Sequence, residues 1–324
     1  MKFLKYTLIV LVISLFSCSD DTTTVAEVDS DTEIITDTDT DTDTDTDTDT
    51  DALTETEIYD LYKSTCGSSV SGSLTSSYNI TDVLNKFVGF TYEGEQTVSY
   101  SISGDNVIIE TFNMPNHKSP YYSAEAGKNG ESFFTDEFYT TWYEEYTTGV
   151  NADGFKLNPS RIQEQSYTFT IPLKPSYSTA NTSTNLGAIG ISRNGVVFFN
   201  AYASQTEQAA DEPITTDNTS EYVSFDQYYG HPNGNGAYHY HLEPLSLTEE
   251  FGEDAFLGVL LDGFPIYGPE ENGVTVDNDD LDCFHGHYSV TTDFPNGIYH
   301  YHTTSEAPYI NGGAFFGTPG SQTN

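Results

Sequence analysis

Apolar and polar positions alternate through much of the middle of the chain. QTVSYSIS at 96–103, NVIIETFNM at 106–114 and SYTFTIPL at 166–173 repeat with period two, as half-buried strands do. AIGIS at 188–192 and GVVFFNAYA at 195–203 are shorter, nearly continuous apolar runs, with Gly, Pro or Asn in most of the gaps between segments. TETEIYDLYKS at 54–64 and ITDVLNKFVGF at 80–90 read as short helices, and beyond residue 90 no segment keeps a helical period over three turns. The pattern predicts one all-β domain: a two-sheet β-sandwich with short helices near its N-terminus.

The first part of the chain follows other rules. Lys2 and Lys5 precede the apolar run TLIVLVISLF, which is too short to span a bilayer and has the form of a signal-peptide core. It ends at Ser17-Cys18, and LFSC resembles the lipobox of bacterial lipoproteins, which implies that Cys18 is lipidated and opens the mature chain. CSDD resembles the acidic tag of some outer-surface lipoproteins of Gram-negative bacteria, so the expected location is the cell envelope, lipid-anchored to the outer membrane and facing the surface. Residues 19–56 are rich in Thr and Asp, with DTDTDTDTDTDTDTD at 37–51, and predict a disordered, self-repelling tether. The organisation expected is therefore a signal peptide over 1–18, a tether over 19–56 and a β domain over 57–324.

Composition sharpens this picture. Tyr (24) and Phe (20) far outnumber Met (2) and Trp (1), which suits pleated sheets. The formal net charge of −40 excludes nucleic acid as an electrostatic partner and leaves cations open. Beyond Cys18 only Cys66 and Cys283 remain. In an oxidising compartment they form one disulfide or stay as two buried thiols, and the sequence alone leaves both open.

The chemistry concentrates in a repeat. DQYYGHPNGNGAYHYH at 226–241 and DCFHGHYSVTTDFPNGIYHYH at 282–302 share Asp-x-x-x-Gly-His, then Pro, Asn-Gly and Tyr-His-Tyr-His, with a longer loop in the second copy. Seven of the eight histidines lie in these two units. On a strand His239 and His241 share one face and Tyr238 and Tyr240 the other; His300 and His302 likewise oppose Tyr299 and Tyr301. Same-face neighbours lie ~6.6 Å apart at ~3.3 Å per residue, close enough for two imidazoles to meet one ion at metal–nitrogen distances of ~2 Å. The candidate ligands are His239, His241, His300 and His302, helped by His231 and His287, with His285 and His117 completing the set. Two symmetric sites and one shared two-metal site both fit. Asp226 and Asp282 repeat with the histidines and are candidate ligands or histidine orienters, as is Asp262 in LLDGFPIYGP. Asp277, Asp279 and Asp280 in VDNDDLD form a possible calcium loop, with a solvated acidic loop as the plainer reading.

With these motifs the chain resembles the YHYH-domain proteins over about residues 95–317. The resemblance rests on NMPNH at 113–117, IQEQSYTFTIPLKP at 162–175, GAIGISRNGVVFFNAYA at 187–203, both YHYH copies and LDGFPIYGP. It implies a secreted or surface-anchored bacterial domain and names no reaction. Family members often carry a cysteine near the C-terminal glycine, where this chain has GAFFG; the resemblance therefore leaves Cys66 as the partner for Cys283.

Three functions fit these residues. The first is an anchored protein that binds copper or zinc through the His-x-His strands. The second is a metalloenzyme, a copper oxidase or zinc hydrolase, which needs an open coordination position. The third is an adhesion or scaffold module, with a protein or glycan partner, in which the histidines form a hydrogen-bonded core.

Overall fold

The computed structural model describes residues 54–66, 73–92, 94–119, 121–122, 158, 160–178, 180–203 and 224–324. The signal peptide, Cys18 and nearly all of the expected tether lie outside them. The described residues belong to one compact unit, Asp51–Asn324.

Helix α1 (Glu55–Thr65) opens this unit. Thr54 and Glu57 form a capping box: the Thr54 hydroxyl accepts from the Glu57 N–H at 3.3 Å, and the Glu57 carboxylate accepts from the Thr54 N–H at 2.9 Å. The boundary expected at 57 falls within this helix. The second predicted helix is two short 3₁₀ turns, Ile80–Asp82 and Leu84–Phe87, which bury Ile80, Leu84 and Phe87. A further short helix that the apolar pattern does not announce, α2 (Leu245–Phe251), follows the first YHYH copy.

Twelve strands form the two main sheets. In chain order they are β1 (Val98–Ser103), β2 (Asn106–Thr111), β3 (Tyr167–Pro172), β4 (Ala188–Ser192), β5 (Val197–Phe199), β6 (Gly230–Pro232), β7 (Tyr238–Tyr240), β8 (Phe256–Leu260), β9 (Pro265–Tyr267), β10 (Gly286–Ser289), β11 (Ile298–His302) and β12 (Ser321–Thr323). The antiparallel four-stranded sheet runs β12-β3-β2-β1, and the eight-stranded sheet runs β6-β7-β5-β4-β8-β9-β11-β10. Strand β3 alternates buried and half-buried positions, so one of its faces lies on the core, as its period-two sequence predicts. Strands β4 and β8 are buried at every position, as their near-continuous apolar runs require, and so is β11, whose tyrosines and histidines are covered on both faces. The fold is the expected all-β, sandwich-like architecture with one continuous core.

The eight-stranded sheet reads the same from both ends. Each half is a hairpin (β4–β5 or β8–β9), a parallel partner carrying YHYH (β7 on β5, β11 on β9) and an antiparallel edge strand (β6 or β10). The halves meet antiparallel at β4 and β8, with Gly190 opposite Leu260 and Ser192 opposite Gly258. A Cβ on Gly258 would lie 2.2 Å from the Ile191 carbonyl oxygen, so the seam closes only around glycine. The duplication therefore extends beyond the motif: SRNGVVFFN and LLDGFPIYG fill the same structural positions with largely different side chains. Cys66 at the end of α1 and Cys283 before β10 are joined in a disulfide, their Cα atoms 6.0 Å apart.

Candidate metal centres

Each residue of the repeated motif has a structural reason. Asp226 and Asp282 fold the Asp-x-x-x-Gly stretch back on itself. Asp226 Oδ1 accepts from the Tyr228 and Gly230 N–H groups at 3.0 and 3.3 Å, and Asp282 Oδ1 from those of Phe284 and Gly286 at 2.9 and 3.2 Å. The residue before each glycine takes a left-handed conformation, Tyr229 at φ 60° and His285 at φ 72°. The glycine leaves room for the first YHYH tyrosine: a Cβ on Gly230 would meet the Tyr238 ring at 2.3 Å, and one on Gly286 the Tyr299 hydroxyl at 2.5 Å. The histidine that follows begins the edge strand.

The hairpin register then assembles three imidazoles. His231 pairs across the ladder with His239, and His287 with His300. Directly opposed side chains on one face of an antiparallel pair have Cβ atoms ~5 Å apart, and the next same-face residue, His241 or His302, closes the triangle. In the first centre, His239 Nε2 lies 3.1 Å from His231 Nε2 and 2.9 Å from His241 Nε2. In the second, His302 Nε2 lies 3.2 Å from His287 Nε2 and 3.0 Å from His300 Nε2.

The outer ring nitrogens determine what these contacts mean. His239 Nδ1 faces the Ala237 carbonyl at 2.9 Å, His241 Nδ1 that of Asn200 at 2.5 Å, His300 Nδ1 that of Ile298 at 3.0 Å and His302 Nδ1 that of Gly268 at 2.7 Å. A carbonyl only accepts, so in each neutral ring Nδ1 carries the proton and Nε2 presents a lone pair. His231 Nδ1 meets the Ser224 hydroxyl at 2.7 Å. Between His239 and His241, and between His300 and His302, lone pairs thus face one another at 2.9 and 3.0 Å with no proton to share. Ligands placed tetrahedrally around an ion at ~2.0–2.1 Å lie ~3.3 Å from one another, so both centres match a transition-metal donor set.

Burial keeps the rings neutral. It lowers the pKa of His231, His239 and His300 well below the ordinary histidine value, with the neighbouring rings adding to the effect. His241 falls to about 4 and His302 to about 3, again chiefly by desolvation. His287 is lowered by burial against the pull of Glu271 and Asp280.

The centres differ at one position. Three residues past the carbonyl that holds the last histidine stands Ala203 in the first half and Glu271 in the second. Glu271 closes a two-stranded hairpin, Glu270–Glu271 against Val274–Thr275, around the positive-φ pair Asn272-Gly273. Its carboxylate stands 3.7 Å from His287 Nε2 and 3.8 Å from His300 Nε2, and its Oε1 accepts from the Ser289 hydroxyl. Glu271, His287, His300 and His302 form one convergent group, and His231, His239 and His241 another. The second group opens onto a small cleft lined by Asp254, Tyr267, Glu270, Glu271, His300 and His302 among others. In the first centre Phe199 stacks on His239 at 4.0 Å and Phe225 packs on His231 at 4.5 Å.

Several expectations need correction. The two YHYH strands do not face one another: β5, β4, β8 and β9 separate them, so the arrangement is two centres, each within one hairpin, and not a site shared between the repeats. His285 occupies the left-handed corner before β10, off the strand face shared by the ligands, with Nε2 3.0 Å from the Thr304 hydroxyl. His117 lies behind β7, its Nδ1 facing the Lys118 carbonyl at 3.0 Å and its Nε2 the Tyr240 hydroxyl at 3.3 Å. The three aspartates turn to tyrosines. Tyr238 donates to Asp226 at 2.8 Å, Tyr299 to Asp282 at 3.1 Å and Tyr301 to Asp262 at 2.7 Å, all on the face away from the imidazoles. Asp277 and Asp280 accept from backbone N–H groups of their own turn, and among the described residues ligand atoms converge only in the two histidine groups, so the calcium reading at Asp277, Asp279 and Asp280 gains no site. Glu271 escaped sequence reasoning. Aligning the NG and DG hairpins of the two halves, and not just the YHYH copies, would have exposed it.

The fold and centres define a duplicated β domain that carries one three-histidine hairpin in each half. The model of the YHYH protein family matches residues 168–277 and 270–314, which take in both histidine centres. No curated protein and no solved structure shows significant similarity to the chain.

Proposed function

We propose that this chain is a lipid-anchored envelope protein whose YHYH domain binds two transition-metal ions, copper or zinc, one in each histidine centre. The observation that carries this reading is the convergence of Nε2 lone pairs whose Nδ1 protons are already committed to backbone carbonyls. Burying two imidazoles lone pair to lone pair in each centre is costly without a cation, and a three-histidine set, with or without a carboxylate, suits zinc and copper. The lipobox resemblance supports the anchor at Cys18 and an outer-membrane location, and the Thr-Asp repeat supports the tether over 19–56.

Elemental analysis of the protein purified from its own envelope, followed by calorimetric titration of zinc and copper(II) into the metal-free form, tests the binding. Two equivalents per chain are expected. Absence of metal, with no binding tighter than about 10 μM, would leave the histidines as a hydrogen-bonded core and end the metal reading. Mass spectrometry of the mature N-terminus tests the anchor, with a diacylated or triacylated Cys18 expected. The metalloenzyme alternative is favoured by one observation, the cleft beside the second centre, and is read by screening the zinc- and copper-loaded protein for hydrolysis and oxidation, with His300→Ala as the control.

A further inference from the structure

Each centre has three histidines on the same hairpin frame, and the two differ in what covers those rings. In the first, all ligands are buried, His231 at 2%, His239 at 3% and His241 at 1% exposure. Phe199 and Phe225 pack on their rings, and Ala203 stands where the second half has its carboxylate. In the second, His300 and His302 are as deeply buried, but His287 keeps 14% and Glu271 23% of its side-chain surface in water. The cleft over them is lined by further carboxylates, Asp254 and Glu270, in a chain of net charge −40.

We infer that the second centre is a metal-exchange site, loaded and unloaded through the acidic cleft with Glu271 as its outer ligand, whereas the first centre holds its ion permanently. The inference rests on the proposed metal binding and adds a division of labour to it. An ion leaves a site by trading protein ligands one at a time for water or for an incoming chelator. In the second centre Glu271 and His287 are reached from solvent without moving the core. Glu271 is carried on a small surface hairpin, so its carboxylate can let go while His300 and His302 still hold. In the first centre every ligand lies beneath other side chains, and release needs local opening of the hairpin, which is rare on the native landscape. The carboxylates of the cleft raise the local concentration of cations and favour their return.

The experiment is zinc release from the full mature chain, loaded with two equivalents, into excess chromogenic chelator. Two phases of equal amplitude are expected, separated by about tenfold or more in rate. His300→Ala should delete the fast phase and His239→Ala the slow one. Glu271→Gln, which keeps size and fold, should weaken the second centre by about 10–100-fold and leave the slow phase unchanged. A single phase for both ions, a fast phase lost with His239→Ala, or Glu271→Gln behaving as wild type overturns the inference while the metal reading stands. Zinc that fails to bind either centre overturns both.

Discussion

The first and second histidine centres are a controlled comparison made by one chain. Both use an Asp-x-x-x-Gly-His turn, an edge strand and a YHYH strand, and both tie their last histidine to the carbonyl just past the neighbouring parallel strand, Asn200 or Gly268. What differs is the support behind and the access in front. Behind β7, Tyr240 meets the neutral Asn194 at 3.3 Å; behind β11, Tyr301 donates to the carboxylate of Asp262, which also accepts from the Gly317 N–H at 2.9 Å. In front, one centre is closed by aromatic rings and the other faces a cleft with a carboxylate. Ligand geometry therefore belongs to the hairpin register, which the duplication preserves, and reactivity belongs to loops, which it does not.

The largest expected effect removes the metal. An ion that binds only the folded state at a hundredfold excess over Kd stabilises it by about 2.7 kcal/mol, so two occupied centres should add roughly 5 kcal/mol to unfolding measured by urea. His239→Ala and His300→Ala should each remove one equivalent and about half of that gain. If either single change removes both equivalents, the centres are not independent.

The disulfide acts mainly on the second centre. Cys66 and Cys283 lie 217 residues apart in sequence, and a crosslink of that span contributes roughly 5 kcal/mol in the chain-entropy account, less where the reduced chain keeps structure. Cys283→Ser should lower urea stability by about 2–5 kcal/mol. It should also weaken the second centre more than the first, because α1 rests on that hairpin through Tyr59, whose ring centroid lies 6.2 Å from that of Tyr288 and 5.8 Å from that of Tyr299. Equal weakening of both centres would break the comparison.

Acid should destabilise the metal-free domain. The buried histidines are depressed in the folded state, so their contribution is complete above the unfolded value of 6.5 and is lost as pH falls towards about 4 for His241 and about 3 for His302. Asp262 and Asp282 act oppositely: burial raises both to about 6, so the fold gains from them as pH falls from 6 towards 4. Histidines outnumber these aspartates, and each contributes up to ~1.4 kcal/mol per pH unit within its window, so midpoints measured by circular dichroism should drop between pH 6.5 and 4. A rising midpoint would mean that the aspartates dominate. Because the folded rings stay neutral, metal affinity should also persist below pH 6.5, further than unperturbed histidines would allow.

Smaller effects separate the two supports. Gly230→Ala and Gly286→Ala should each cost about 1–3 kcal/mol by overpacking against Tyr238 and Tyr299. Tyr301→Phe, which strips a donor from buried Asp262, should cost about 1–3 kcal/mol, and Tyr240→Phe about 0.5–1.5 kcal/mol in the same denaturation assay. The reverse order would place the stronger anchor in the first half.

Much of this was legible in the chain. Strand alternation alone put His239 with His241 and His300 with His302, and set the tyrosines on the opposite face, because period two is a property of the backbone. The third ligand of each centre, His231 or His287, was legible only as a helper, because its place depends on the hairpin register and not on the period of one strand. Sheet order was not legible: nothing in the two YHYH copies says that four strands lie between them. The β4–β5 and β8–β9 duplication stayed hidden because its common element is backbone geometry, and Asn194 against Asp262 or Phe199 against Tyr267 fill it with unlike side chains. His285 misled because His-x-His suggests one strand face, while the corner that turns into β10 places it at φ 72°.

The link between Cys66 and Cys283 also bears on mechanics. A pull applied at the N-terminal end and resisted at the C-terminal end travels along α1, crosses the sulfur–sulfur bond and continues from residue 283. Residues 67–282 form a covalent ring outside that load path. The whole first centre and Glu271 sit within this slack loop, whereas His287, His300 and His302 lie on the taut strand. Under tension the second centre would deform first, and its ion would report the strain.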